Sequence, residues 1–331
     1  MLHVTNGDTA AEAIELAGLP GEALIWRDVL HEGPVPEGLA PTELRQTRAA
    51  FLAAAGWGDR ATIFRDFEAR DRRLRAAVEA GLDIVLWFER DLFDQLQLLQ
   101  VLDTLSDSVA TRRRVFWIRH LETIATLPVH QLQESLRGRR ALPASAFAEA
   151  RSAWSAFRAT QPTRIERLVA SGTPALADAS RALRRHLEQF PAPGNGLSRS
   201  ERQALAELAG NGPQTFGQLF LACQRREEPV FLGDAIFAWY LTEIGRGERR
   251  LVEFEEGEEL PASAGLDPSA SLDGRRLRLT ALGREVLAGS QDRVALLGLD
   301  RWLGGVHLTR AACWRWDPAR QQLTPPAGAK T

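Results

Sequence analysis

Lysine is almost missing from this chain: Lys330 is the only one among 41 basic residues, and all the others are arginine. A Schiff-base mechanism would have to use Lys330, and a phosphate loop has no lysine to build with. An Ala-, Arg- and Gly-rich coding bias is the simplest source of the arginine excess. Cysteine is nearly as scarce, with Cys223 and Cys313 alone. That leaves no disulfide framework and no cysteine-rich zinc site, and it fits a reducing compartment. Cys223, in an apolar helical stretch beside Gln224-Arg225-Arg226, reads as a buried thiol rather than a nucleophile. No apolar run approaches the ~20 residues that a membrane span needs, and the N-terminal residues enter a strand pattern without a basic leader, so the chain reads as cytoplasmic with no membrane partner. A net charge of −2 gives no global attraction for nucleic acid. There is no Gly-x-Ser-x-Gly elbow and no His-Glu-x-x-His.

What is present is an ordinary globular composition, 44% hydrophobic and 25% charged, over 331 residues, a length that suits two or three domains rather than one core. Four short apolar runs in the first 120 residues each stop at a polar cluster. Leu2-His3-Val4-Thr5 meets Asn6-Gly7-Asp8, and Ala23-Leu24-Ile25-Trp26 meets Arg27-Asp28 and then His31-Glu32-Gly33-Pro34. Ile84-Val85-Leu86-Trp87-Phe88 meets Glu89-Arg90-Asp91 and Asp94, and Val115-Phe116-Trp117-Ile118 meets Arg119-His120. The third run is apolar on successive residues, as a strand covered on both faces should be. Helical patterns lie between the runs, so the expected fold is α/β: a mostly parallel sheet with helices on both faces over residues 1–125. All four clusters then share the carboxyl edge, where open α/β sheets bind ligands.

Beyond this domain, residues 126–190 read as a helical connector broken by Pro128, Pro143, Pro162 and Pro174. Pro191-Ala192-Pro193-Gly194-Asn195-Gly196 is the best domain boundary. Residues 197–320 are expected to form a winged-helix-like α+β domain: helices from a Ser198-to-Glu201 capping box, over 216–223 and over 234–244, then a hairpin of 250–254 with 275–279. A terminal hairpin is expected to pair Val306–Thr309 with Cys313-Trp314-Arg315-Trp316, and residues 325–331 read as disordered. A further capping box is expected at Thr9 and Glu12.

The candidate chemistry is concentrated in the four clusters. Asn6 and Gly7, where a strand hands over to a helix, suit an anion held by backbone N–H groups, although Asp8 opposes one; a plain turn is the alternative. His31 with Asp28 offers a general acid or base and its carboxylate orienter, against the alternative of a solvated loop histidine. His3 is a candidate ligand contact or a hydrogen-bonded sheet-face residue. Glu89, Asp91 and Asp94, with Asp8 or Asp28, could take a divalent cation, while helix capping by Asp91 and dipole complementation by Asp94 explain two of them without metal. Arg119 is a candidate anion clamp. No cofactor is implied. The third helix of the second domain, 234–244, has no arginine or lysine, which disfavours groove reading and DNA as a partner.

The stretches His3-Val4-Thr5-Asn6-Gly7-Asp8, 26–36 and Trp87-Phe88-Glu89-Arg90-Asp91 resemble the bacterial family known as domain of unknown function 1835. Arg185-His186-Leu187-Glu188, 196–202, Gly233-Asp234 and 300–308 resemble the second domain that usually accompanies it. The resemblance implies a bacterial cytoplasmic protein and brings no activity with it. From the residues, the expectation is a small-molecule-binding or hydrolase- or transferase-like enzyme with a polar site at the sheet edge. The alternative is a ligand-sensing regulator whose second domain contacts protein or DNA.

Overall fold

A computed structural model of the chain describes residues 1–106, 108–120, 123–262, 272 and 274–326. Residues 327–331, most of the tail read as disordered, lie outside the described residues. The N-terminal elements are β1 (Leu2–Thr5), α1 (Asp8–Leu16), β2 (Glu22–Ile25), β3 (Gly33–Pro34), α2 (Pro41–Ala54), α3 (Arg60–Glu79), β4 (Ile84–Trp87), α4 (Leu92–Thr104), α5 (Val109–Arg112) and β5 (Val115–Ile118). Strands β2, β1, β4 and β5 pair in that order, all parallel, with Leu2 opposite Glu22 on one side and Ile84 on the other. Alternation along the strands divides the core. Leu2, Val4, Ile84 and Leu86 join a cluster with Leu96 and Leu99 of α4, while Val85 and Trp87 face Ala10 and Ile14 of α1. Helices therefore cover both faces, as successive apolar residues in β4 require.

The connector contributes α6 (Val129–Arg137), α7 (Ala144–Arg158), α8 (Thr163–Ser171) and α9 (Ala177–Leu187). Next come α10 (Arg199–Asn211), β6 (Gln214–Thr215), α11 (Phe216–Gln224), α12 (Asp234–Ile244), β7 (Val252–Phe254) and β8 (Arg276–Leu279). Strands β6, β8 and β7 form an antiparallel sheet in that order. Ser198 caps α10 and receives the Glu201 side chain in return, as expected. The chain ends with α13 (Ala281–Leu287), α14 (Arg293–Leu297), β9 (Asp300–Gly304), β10 (Val306–Thr309), β11 (Arg315–Asp317) and β12 (Gln322–Thr324). No helix among the described residues is long and apolar enough to cross a membrane.

Two local expectations are corrected. Helix α1 starts at Asp8 with Gly7 as its cap and no side-chain cap bond, so Thr9 lies inside the first turn rather than before it. The terminal hairpin does not form between 306–309 and 313–316: β10 pairs with β9 across Gly304-Gly305, and β11 pairs with β12. Gly304 has φ +61°, and a Cβ on Gly305 would stand 1.7 Å from the Arg158 carbonyl oxygen, so this turn packs its backbone directly on the end of α7.

Strand β9 also pairs, in parallel, with the two-residue β3, tying the loop after β2 to the far end of the chain. The segment at 191–196 is itself anchored, with Trp316 N donating to Pro191 O and Arg293 N to Asn195 O. One apolar cluster runs from Leu2 through Trp154, Leu205 and Phe237 to Trp316, so all three sections share a core.

Candidate functional site

The sheet order places the topological switch between β1 and β4, since the chain leaves β1 toward β2 and returns on its other side. The residues just beyond these two strands make one bonded group. Asn6 donates its amide to Asp94 Oδ1, and the Glu89 backbone N–H donates to Asp94 Oδ2 at 2.6 Å. Asp91 caps α4, its Oδ1 accepting the Asp94 N–H at 3.1 Å. Glu89 Oε1 accepts the Ile124 N–H at 2.9 Å. Among the described residues no three carboxylate, imidazole or thiol groups are arranged to hold a cation. For Asp91 and Asp94 the capping and backbone bonds account for the geometry without metal.

Burial changes the chemistry of these carboxyls. It penalises the charged form of Asp91 and, with the Glu89 charge beside it, raises its pKa to about 7 against three opposing backbone bonds. Asp94 is raised well above the usual range by burial and then by Asp91. Glu89 is raised by burial. Two adjacent buried carboxyls cannot both ionise freely, so the pair holds a proton near neutrality. Beside them nothing lies within 4 Å of where a Gly7 Cβ would sit, and the first turn of α1 has no side-chain cap. Arg90, on the same rim, has a buried Nε without a hydrogen-bond partner. Asp8 is neutralised by an exposed pair with Arg27.

The other expected residues are placed elsewhere. Asp28 does not orient His31: its carboxylate is gripped by Arg48, with NH2 to Oδ1 at 2.6 Å and Nε to both oxygens at 3.1 Å. Arg48 NH1 reaches Glu32 O at 2.7 Å and NH2 reaches Val29 O at 2.9 Å, so one guanidinium shapes the whole loop. His31 is 1% exposed, edge-on to Phe93 and Phe231, and neither ring nitrogen has a partner. Burial, then the nearby His186 and arginine charges, depress its pKa well below 6.5. A neutral imidazole sealed from solvent is no base for a ligand at the rim. His3 accepts from Trp87 Nε1 at 2.9 Å and bonds Pro20 O at 3.1 Å through Nε2, which uses both ring nitrogens. It is a sheet-face histidine. Arg119 forks onto Asp178, fully buried on α9, with NH2 to Oδ1 at 2.9 Å, so its charge is spent on the connector.

A second polar cluster was not read from the sequence. Glu32 accepts from Arg301 Nε at 3.0 Å and from Tyr240, the only tyrosine of the chain. The Tyr240 hydroxyl in turn accepts from Arg301 NH2 at 2.8 Å and Gln189 Nε2 at 3.0 Å. Burial keeps this phenol neutral, raising its pKa well above 10. Arg185 pairs with Glu227 at 2.7 Å and donates to Ser200 at 2.9 Å. His186, with no partner on either nitrogen, lies edge-on to Phe157 and Phe190. Several stretches on which the family resemblance rests, around Glu32, Arg185, Ser200 and Arg301, meet at this cluster. Nothing in their local spacing announces it, because the partners are up to 269 residues apart. No family model and no curated protein matches the chain.

Proposed function

We propose that the chain binds a small polar ligand at the carboxyl rim of its parallel sheet, between the ends of β1 and β4, as a small-molecule-binding or hydrolase- or transferase-like enzyme. The carrying observation is the buried Asp91–Asp94 pair at the topological switch, where burial holds a proton near neutral pH. Asn6 and the open first turn of α1 supply donors to the ligand, Gly7 lets it approach the backbone, and Asp91 exchanges a proton with it. His31 and Arg119 take no part in this reading.

The test compares wild type with Gly7→Val and Asp91→Asn. Gly7 has extended backbone that any residue adopts, and its Cβ position is empty, so valine fills only the approach. Small molecules released on denaturation of the purified proteins are measured by mass spectrometry beside their melting temperatures. A compound retained by wild type and lost from both variants, with Gly7→Val melting as wild type does and Asp91→Asn melting no lower, supports the site. Equal retention by all three excludes it.

A second reading, a regulator, is favoured by the helix–strand–helix–helix–strand–strand order of α10, β6, α11, α12, β7 and β8, with β8 central, which supports a winged-helix-like module. In this reading the module contacts protein rather than DNA. Helix α12 is mostly buried, its exposed end residues Asp234 and Glu243 are acidic, and Tyr240 is occupied by Glu32. Arg275 and Arg278 of the hairpin are likewise paired with Glu256 and Glu253.

A further inference from the structure

Beyond the Asp8–Arg27 pair, the same edge continues into a cleft of about 620 Å³ between β2 and the α2–α3 hairpin. Its volume is that of a site for a small organic molecule. Leu52, Trp57, Ile63, Phe67 and Phe93 make much of its wall. Four charged side chains also line it, and three of them are already answered. Arg27 is paired with Asp8, and Asp28 is held by Arg48. Arg70 bonds Asp71 and Arg27 O, with its guanidinium 3.8 Å from the Trp26 ring centroid. The fourth, Asp66, is exposed and has no hydrogen bond or ion pair among the described residues. What remains is an apolar, partly aromatic cleft with one uncompensated negative charge.

Apolar walls favour the body of a ligand by burial, and an unanswered carboxylate favours a cation over an anion of the same shape. An indole face adds attraction for an ammonium group and none for a carboxylate. We propose that this cleft is a separate binding site for a small organic cation, an ammonium group on an aromatic or branched apolar body, with its charge at Asp66 and its body against Trp57 and Phe67. The site shares no side chain with the proton-holding pair at the β1–β4 switch, so either can exist without the other.

The full chain is titrated with 2-phenylethylammonium and, in parallel, with 3-phenylpropionate, a carboxylate of matched size. The readout is the Trp57 indole N–H resonance, identified by its loss in Trp57→Phe. The ammonium compound is expected to shift this resonance saturably, the carboxylate to shift it far less, and Asp66→Asn to weaken the ammonium about fivefold, the upper range for an exposed ion pair. Because Asp66 is exposed, Asn does not threaten the fold. Equal binding of the two probes, preference for the carboxylate, no binding of either, or an Asp66→Asn variant that binds the ammonium as wild type does would each overturn the proposal. Gly7→Val and Asp91→Asn leave the ammonium titration unchanged, which separates failure at the switch from failure here.

Discussion

At the scale of single residues, the chemistry depends on which charged groups have been removed from water and what answers them. Asp28 and Asp91 are both carboxyls at the sheet rim and both nearly inaccessible, at 5% and 6% exposure. They differ in what faces them: Asp28 has the Arg48 guanidinium, whereas Asp91 has a backbone N–H and the neighbouring Glu89 and Asp94. Asp91 therefore carries a pH signature. Unfolded, it releases its proton near 3.8, and folded it releases it near 7. Between those values the native state holds a proton that the unfolded state has lost, so Asp91 makes stability fall as pH rises through the window. Asp91→Asn keeps an acceptor for the Asp94 N–H and abolishes that titration. Urea unfolding at a series of pH values is expected to show the variant gaining on wild type from pH 4 to 7 and then running parallel. A constant difference would mean that Asp91 ionises as an ordinary carboxylate. The sequence shows Asp91 as a helix cap but not its burial, and it leaves Asp28 and His31 as a plausible pair because nothing in their local spacing points to Arg48, 20 residues from Asp28.

At the scale of elements, the parallel strands were legible because covered strands need successive apolar residues, and β1 and β5 have the bounds their composition implies. Helix α12 was equally legible, bounded by Gly233 and Gly245. Strand pairing at the C-terminus was not, because a hairpin register depends on what a turn packs against. The Gly304-Gly305 turn lies on the last turn of α7, with Gly305 N donating to Phe157 O at 3.0 Å. Any side chain at 305 meets the Arg158 carbonyl. Gly305→Ala is expected to destabilise the chain by about 2–4 kcal/mol, the range of overpacking reinforced by a lost backbone contact. Gly81→Ala, at a φ of +63° but with open space at its Cβ, costs about 1 kcal/mol by strain alone. Urea midpoints distinguish them, and equal losses would show that the close approach at 305 is not maintained in solution.

Across the whole molecule, the first, middle and last sections are joined by buried polar contacts as well as by their common apolar core. His31 and Glu32 come from the loop after β2, Arg185 and His186 from α9, Tyr240 from α12 and Arg301 from β9. Within this cluster the two imidazoles have no hydrogen-bond partner, and arginine charges from Arg301 and Arg185 press on both, with Arg48 also facing His31. Burial and these charges lower His186 from 6.5 to about 3 and His31 well below 6.5. Below pH 6.5 the unfolded chain gains protons that the native state refuses, so this pair makes stability fall as pH decreases, opposite in sign to Asp91. Because the cluster joins all three sections, its failure should release them together. Acid unfolding followed by far-UV circular dichroism and by tryptophan fluorescence is expected to give coincident transitions. His186→Leu, which keeps an apolar body between Phe157 and Phe190, is expected to shift the midpoint to lower pH. Separate transitions, or a midpoint indifferent to His186→Leu, would show that the sections unfold independently and that the cluster does not link them.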